Sequence, residues 1–158
     1  MRRIQILQFT PGGVGSSALL EGAFDCVAEA GNPQLKVRVA DVRIDQAQYE
    51  KSICDSTLEL IRAWRREPAL APEGLIVTDD IAMRAVALAL VQSGFGVEKV
   101  LPIVCQASEG IEHHYGVPVA RYEYQLGEAA RTLINLLSLR MRDKPLPKLP
   151  VMISGILR

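Results

Sequence analysis

Short apolar runs alternate with amphipathic helical stretches along the whole chain, and this alternation restricts its fold more than any other feature. Ile4-Gln5-Ile6-Leu7-Gln8-Phe9 is the first run. It ends in the turn Pro11-Gly12-Gly13-Val14-Gly15, after which Ser16 or Ser17 can cap a helix with Leu20, Phe24, Val27 and Ala28 on one stripe. Gly31 and Pro33 stop that helix. Leu35 to Val42 alternates apolar and polar residues and reads as a second strand. Asp45 can cap the next helix with Gln48 as its reciprocal partner. Tyr49, Ile53, Leu60, Ile61 and Trp64 recur along it at helical spacing, and Pro68 ends it by excluding helical geometry from the residue before. Gly74 to Thr78 is apolar almost throughout, as befits a parallel strand covered on both faces.

Asp79 and Asp80 follow at the carboxyl end of that strand, where either can cap the helix from Ile81 to Ser93. This helix has almost no polar face and needs cover on both sides, which in so small a chain points to another subunit. Met83, Ala85, Val86 and Leu90 are its expected contact residues. Val100 to Cys105 reads as a fourth strand, and Pro102, which cannot donate to a ladder, places it at a sheet edge. After a loop with Gly110, His113, His114 and Gly116, Val117 to Tyr122 is a fifth extended piece. Gln125 to Arg142 is a strong helix with Leu126, Ala130, Leu133, Leu137 and Met141 in line. Three prolines then lead to a final strand, Val151 to Leu157. Strands and helices in this order imply a doubly wound α/β fold with a mainly parallel sheet. Ligands on such sheets bind at the carboxyl ends of the strands, here Thr10 to Ser17, Asp45, Thr78 to Asp80 and Cys105 to Glu109.

Composition excludes several function classes. Apolar residues make up 49% of the 158, enough for a packed core. Eighteen basic residues balance eighteen acidic ones, so the basic patch of a nucleic-acid-binding domain is not expected. No apolar run is long enough to span a bilayer, and the start carries no long apolar segment of a secretion signal; a cytoplasmic location is the expectation. Cys26, Cys54 and Cys105 are odd in number and widely spaced, which fits reduced buried thiols and not a disulfide framework or a zinc site.

Each candidate for chemistry has a plainer reading beside it. The turn from Thr10 to Ser17 follows a strand and opens a helix like a phosphate cradle, yet it lacks the lysine of a P-loop and is not GxGxxG. Asp79 and Asp80 could hold magnesium or act as acid and base, with Asp45 or Glu109 as a third carboxylate, but nothing in the spacing requires it; one as a helix cap and the other as a hydrogen-bonding group for a small ligand is simpler. His113 and His114 fit a solvent-exposed loop, and nothing near Cys105 supplies an oxyanion hole or an orienting group. Neither metal nor cofactor is expected.

The order of these segments resembles the second half of the ligand-sensing core of lac-repressor-type (LacI/GalR) transcription regulators. Arg3-Ile4-Gln5-Ile6-Leu7 with Glu21-Gly22-Ala23-Phe24 is similar to that family's strand and helix in this region. So are Gly74 to Val86 around Asp79-Asp80, Gly94-Phe95-Gly96-Val97, and Leu126-Gly127-Glu128-Ala129-Ala130 followed by Leu136-Leu137. The likeness runs from about Arg3 to Arg158.

The resemblance implies a partial periplasmic-binding-protein-like fold of type I: one lobe plus a returning segment of the other. Residues 1–116 would form the carboxyl-terminal lobe, 117–145 would cross to the amino-terminal lobe, and 146–158 would return as a terminal strand. It implies a non-enzymatic sensor whose partners are a small-molecule effector, such as a sugar, and a second copy of the chain. DNA would be bound only through a helix-turn-helix that these residues do not contain, and no membrane is involved. By position, Ser16, Asp79, Gln106 and Arg121 would contact the effector. The chain departs from the family where an effector-gripping arginine is usual, which here falls at Ser17 to Leu19, and where Gly-Phe/Tyr-Asp-Asp becomes Val104-Cys105-Gln106-Ala107. These losses remove a bidentate clamp and a hydroxyl acceptor and set a common sugar effector in doubt. Two other expectations stand beside this one: a small α/β enzyme using Asp79 and Asp80, and a fragment of a solute-binding transport protein.

Overall fold

The computed structural model of the chain describes residues 2–10, 25, 29, 31–32, 34–95, 101–110, 114–148 and 153–158. Six strands form one sheet in the order β2-β1-β3-β4-β5-β6. These are β1 (Arg2–Thr10), β2 (Leu35–Arg43), β3 (Gly74–Val77), β4 (Ile103–Ser108), β5 (Ala120–Tyr124) and β6 (Gly155–Leu157). The first five run parallel, and β6 pairs antiparallel with β5. The expected α/β architecture with a mainly parallel sheet is what the chain forms.

The register puts side chains in rows across the sheet. Leu7 pairs with Val77, and Val77 with Cys105; all three are fully buried. Helices α1 (Tyr49–Arg66) and α2 (Asp80–Ser93) cover this face. α1 buries Ile53, Thr57, Ile61 and Trp64, a stripe at helical spacing, and Trp64 packs against Phe95 with ring centroids 5.3 Å apart. Its approach differs in detail from the expected capping box. The Asp45 side chain accepts from the Ala47 N–H at 2.9 Å and starts a short 3-10 turn, Gln46–Gln48. The reciprocal contact comes from Ser52, whose Oγ accepts from the Asp45 N–H at 3.1 Å. α1 stops at Arg66, ahead of Pro68 as expected.

α2 is capped by Asp79 and ends at Gly94, whose φ of 68° lies in the left-handed region that glycine tolerates best. The Arg65 guanidinium donates to the Ser93 carbonyl at the same helix end, joining α1 to α2. Met83, Ala85, Val86 and Leu90, expected at a contact between subunits, are buried inside the chain itself. The sheet and α1 together cover more of α2 than one lobe of this size was expected to. What α2 leaves half-exposed is Ile81, Leu88 and Val91, interrupted by exposed Arg84 and Gln92.

One further expectation changes. β4 is an interior strand between β3 and β5, not an edge strand. Pro102 lies just outside it, where its missing N–H costs no ladder bond and its carbonyl accepts from the Leu75 N–H at 2.9 Å. β5 also remains in the common sheet, and helix α3 (Leu126–Met141) follows it. No residue of α3 is buried. The expected stripe of Leu126, Ala130, Leu133, Leu137 and Met141 lies along α3 and is exposed. The expected helix over residues 17 to 30 lies outside the described residues, except that Asp25 and Glu29 are helical.

Leu7→Ala should lower the unfolding free energy by about 2–5 kcal/mol through loss of buried methyl groups and the cavity left behind. Leu88→Ala, on the half-exposed face of α2, should change it by less than about 0.5 kcal/mol. Urea denaturation with an unchanged m-value checks both.

Candidate functional site

The carboxyl ends of β3, β4 and β5 meet the amino terminus of α2 and gather most of the polar side chains described in this region. Asp79 follows β3. Its Oδ1 accepts from the Ala82 N–H at 2.8 Å, and its carbonyl accepts from the Cys105 thiol at 3.7 Å. Among the described residues no donor engages Asp79 Oδ2. Asp80 Oδ2 accepts from the Ser108 N–H at 3.1 Å and so ties α2 to the end of β4. Ser108 Oγ lies 2.8 Å from the Tyr124 hydroxyl at the end of β5. Tyr115 donates its hydroxyl to the Asp80 carbonyl at 3.4 Å. The Arg121 guanidinium donates to the Ser108 carbonyl at 3.4 Å and pairs with Glu123 at 3.3 Å. Glu123 is buried and also meets Arg158 at 3.5 Å, so one carboxylate links β5 to the residue after β6.

Electrostatics decide what this edge can do. Burial pushes the Cys105 thiol up to about 12, and Asp80 and then Asp79 add to it. Tyr115 also rises to about 12, through burial and then Cys105 and Asp80. Both therefore stay protonated at neutral pH, and Cys105 is no nucleophile. Tyr49 is raised as well, first by burial and then by Asp79 and Asp80. Among the described residues no group of three His, Cys, Asp or Glu side chains gathers that could hold a metal ion. The arrangement is a rim of carboxylate and hydroxyl groups suited to hydrogen-bonding a small polar molecule.

The expected contacts are only partly assembled. Ser16 lies outside the described residues. Asp79 is at the rim, with one oxygen committed to its helix as cap. Arg121 reaches the same region from the β5 row next to Cys105. Gln106 pairs in register with Tyr122, so it lies on the face opposite Cys105 and Arg121, the face that also carries the Ser108–Tyr124 pair. His114, exposed, lines an open groove with Tyr115, Val117, Val119 and Arg121. Ser108 falls in the stretch Cys105 to Glu109 expected at the carboxyl edge, whereas Tyr115 and Tyr124 were missed; only the alternation that puts Tyr124 at a strand end could have pointed to one of them.

The fold has counterparts among known proteins. Residues 1–157 match the family described as Periplasmic binding protein-like domain. No curated protein matches the chain. Among solved structures, the Caulobacter myo-inositol binding protein bound to myo-inositol is similar at 18% identity and a TM-score of 0.67, over 99% of this chain and 51% of that one. The Escherichia coli transcriptional repressor ascG is similar at 16% identity and 0.66, over 98% and 53%. A LacI family transcriptional regulator from Bifidobacterium animalis subsp. lactis follows at 17% and 0.63, over 97% and 53%. The chain thus spans about half the length of these structures.

Asp79→Ala should cost about 1 kcal/mol through loss of the cap, whereas Asp79→Asn, a good cap, should cost little. Because the folded pKa values of Cys105 and Tyr115 lie above their unfolded ones, their contribution to stability is complete below pH 9 and is lost as pH rises toward 12. Thermal melts across that range should show the loss, and it should shrink in Cys105→Ala.

Proposed function

The chain belongs to the periplasmic binding protein-like domain family, and from that premise we propose that it is one lobe of a small-molecule sensor of the LacI type. Its members and structural neighbours are binding proteins and regulators, and the reading assigns this chain no bond-making or bond-breaking step. The observation that carries the reading is the rim at the carboxyl ends of β3 to β5. Its carboxylates are held by backbone contacts, its thiol is protonated, and among the described residues no donor engages Asp79 Oδ2. Such a rim recognises hydroxyls and performs no acid–base step. Neighbours carry myo-inositol and D-arabinose, in keeping with a hydroxyl-rich effector.

The reading as a regulator rests on the ordered series of segments that resembles LacI/GalR proteins. A ligand that closed this edge against an opposing wall would reorient DNA-binding domains carried elsewhere. The second reading, part of a solute-binding protein, is supported by the sugar-bound neighbours. The two separate experimentally: fused behind a helix-turn-helix domain, a regulator's lobe should make operator binding depend on the effector, and a transport lobe should not.

A thermal-shift panel of polyols and monosaccharides should raise the melting temperature of the parent, and Asp79→Asn should abolish the rise while leaving the unliganded melt almost unchanged. No shift with any polyol, or turnover of a substrate that Asp79→Asn destroys, would overturn the reading in favour of the enzyme.

A further inference from the structure

The amino ends of β1 and β2 carry a second polar cluster, at the end of the sheet away from the rim. Arg3 pairs in register with Lys36, and Gln5 with Arg38. Side chains two residues apart on a strand share a face, so these four lie on the face that carries Leu7 and Val42 further along. Where that face is apolar, α1 and α2 cover it. At its cationic end the turn after α1 takes over: Leu70 and Pro72 wall a cleft of about 250 Å³ lined by Arg3, Gln5, Lys36 and Arg38. The buried Gln5 amide donates to the Arg38 carbonyl at 3.1 Å and fixes the backbone of β2 there. Arg3 Nη1 donates to the Ala69 carbonyl at 3.0 Å, and Arg3 Nη2 meets Glu73 at 3.6 Å. Lys36 and Arg38 are exposed, and among the described residues neither forms an ion pair. Three cations therefore share one carboxylate.

We propose that this cleft binds a phosphate dianion, either the free ion or the phosphoryl end of a small monoester. The two positive charges left over after Glu73 match the charge of such a group at neutral pH. The planar guanidinium of Arg38 can take two of its oxygens, and the compact ammonium of Lys36 a third. Size narrows the ligand further. The cleft is smaller than the roughly 300–1,000 Å³ of sites that enclose whole organic ligands, so it takes the phosphoryl group and leaves any ester portion outside. Cations on an edge strand also deter stray strand pairing. That role needs neither a third cation in the neighbouring strand nor a walled concavity. About 20 Å of β1 separates Arg3 from the rim at its far end, so this site lies beyond the sensor reading and does not share its ligand.

Calorimetric titration of the 158-residue chain with inorganic phosphate at fixed ionic strength tests it. The parent should bind one phosphate per chain. Lys36→Gln with Arg38→Gln should weaken binding about tenfold or more, the loss expected for charge-assisted hydrogen bonds. Arg43→Gln, at the far end of β2, and Asp79→Asn, at the rim, should leave the affinity unchanged. Both side chains removed from the cleft are exposed, so far-ultraviolet circular dichroism should not change; should the double variant fold poorly, Lys36→Glu alone must show the loss. Glycerol 3-phosphate separates the two sources. Tighter binding than inorganic phosphate, lost in the double variant, supports the site as one for an ester, and binding no tighter supports it as one for the free ion. No binding at millimolar phosphate overturns the proposal, and so does an equal loss in Arg43→Gln, which would mean diffuse attraction to surface charge. Duplex DNA that displaces phosphate through Lys36 and Arg38 overturns it in favour of a nucleic-acid contact. Polyols carry no charge and Asp79 is not in this cleft, so the phosphate site and the sensor reading can fail separately.

Discussion

The buried row Leu7–Val77–Cys105 is the contact on which the rest of the structure depends. It joins the three central parallel strands, so it fixes their register, and register in a parallel sheet decides which face every other side chain occupies. α1 and α2 pack on the face this row defines. The row continues at Cys105 to Arg121 on β5. One step along, therefore, the same geometry passes from a dry core to a guanidinium at the rim of the sheet.

That transition explains why the rim is quiet. Asp79, Asp80 and Glu123, near its carboxyl edge, are tied to structure. Asp79 caps α2, Asp80 holds the end of β4, and Glu123 joins Arg121 to Arg158. A buried ion cluster of this kind costs desolvation and is held for placement more than for stability. Here it ties β5 to the strand that returns beside it. At that returning strand Gly155 gives way to the ring of Tyr122, which lies where a Cβ would stand. Groups so committed are fixed in orientation by the elements they join.

Much of this was legible in the chain. Asp79 as a helix cap follows from its place between an apolar strand and an apolar helix, because the first N–H groups of any helix need an acceptor. Strand 74–77, the stop at Pro68 and the glycine at position 94 follow from equally local rules. The failures share one cause. Pro102 was read as a mark of an edge strand because a rule about ladder donors was applied one residue too far along the strand. Gln106 and Arg121 were grouped because both sit near the carboxyl edge, yet the two-residue period of a strand sends them to opposite faces. Met83, Ala85, Val86 and Leu90 were assigned to a second subunit because periodicity reports that a face is apolar and not what covers it.

α3 shows the same limit from the other side. Its stripe is plain in the residues from Leu126 to Met141, and no local rule says that the body of this chain leaves it open. By itself the sequence determined what is local: the alternation of strands and helices, the caps and breaks, and the fact that two helices carry more apolar surface than one sheet face needs. Only the tertiary structure decided the strand order, the side of the sheet each polar group serves, and which apolar face was satisfied within the chain. Local elements are set by contacts a few residues apart, whereas burial is set by contacts between segments far apart in sequence, and those exist only once the sheet has formed.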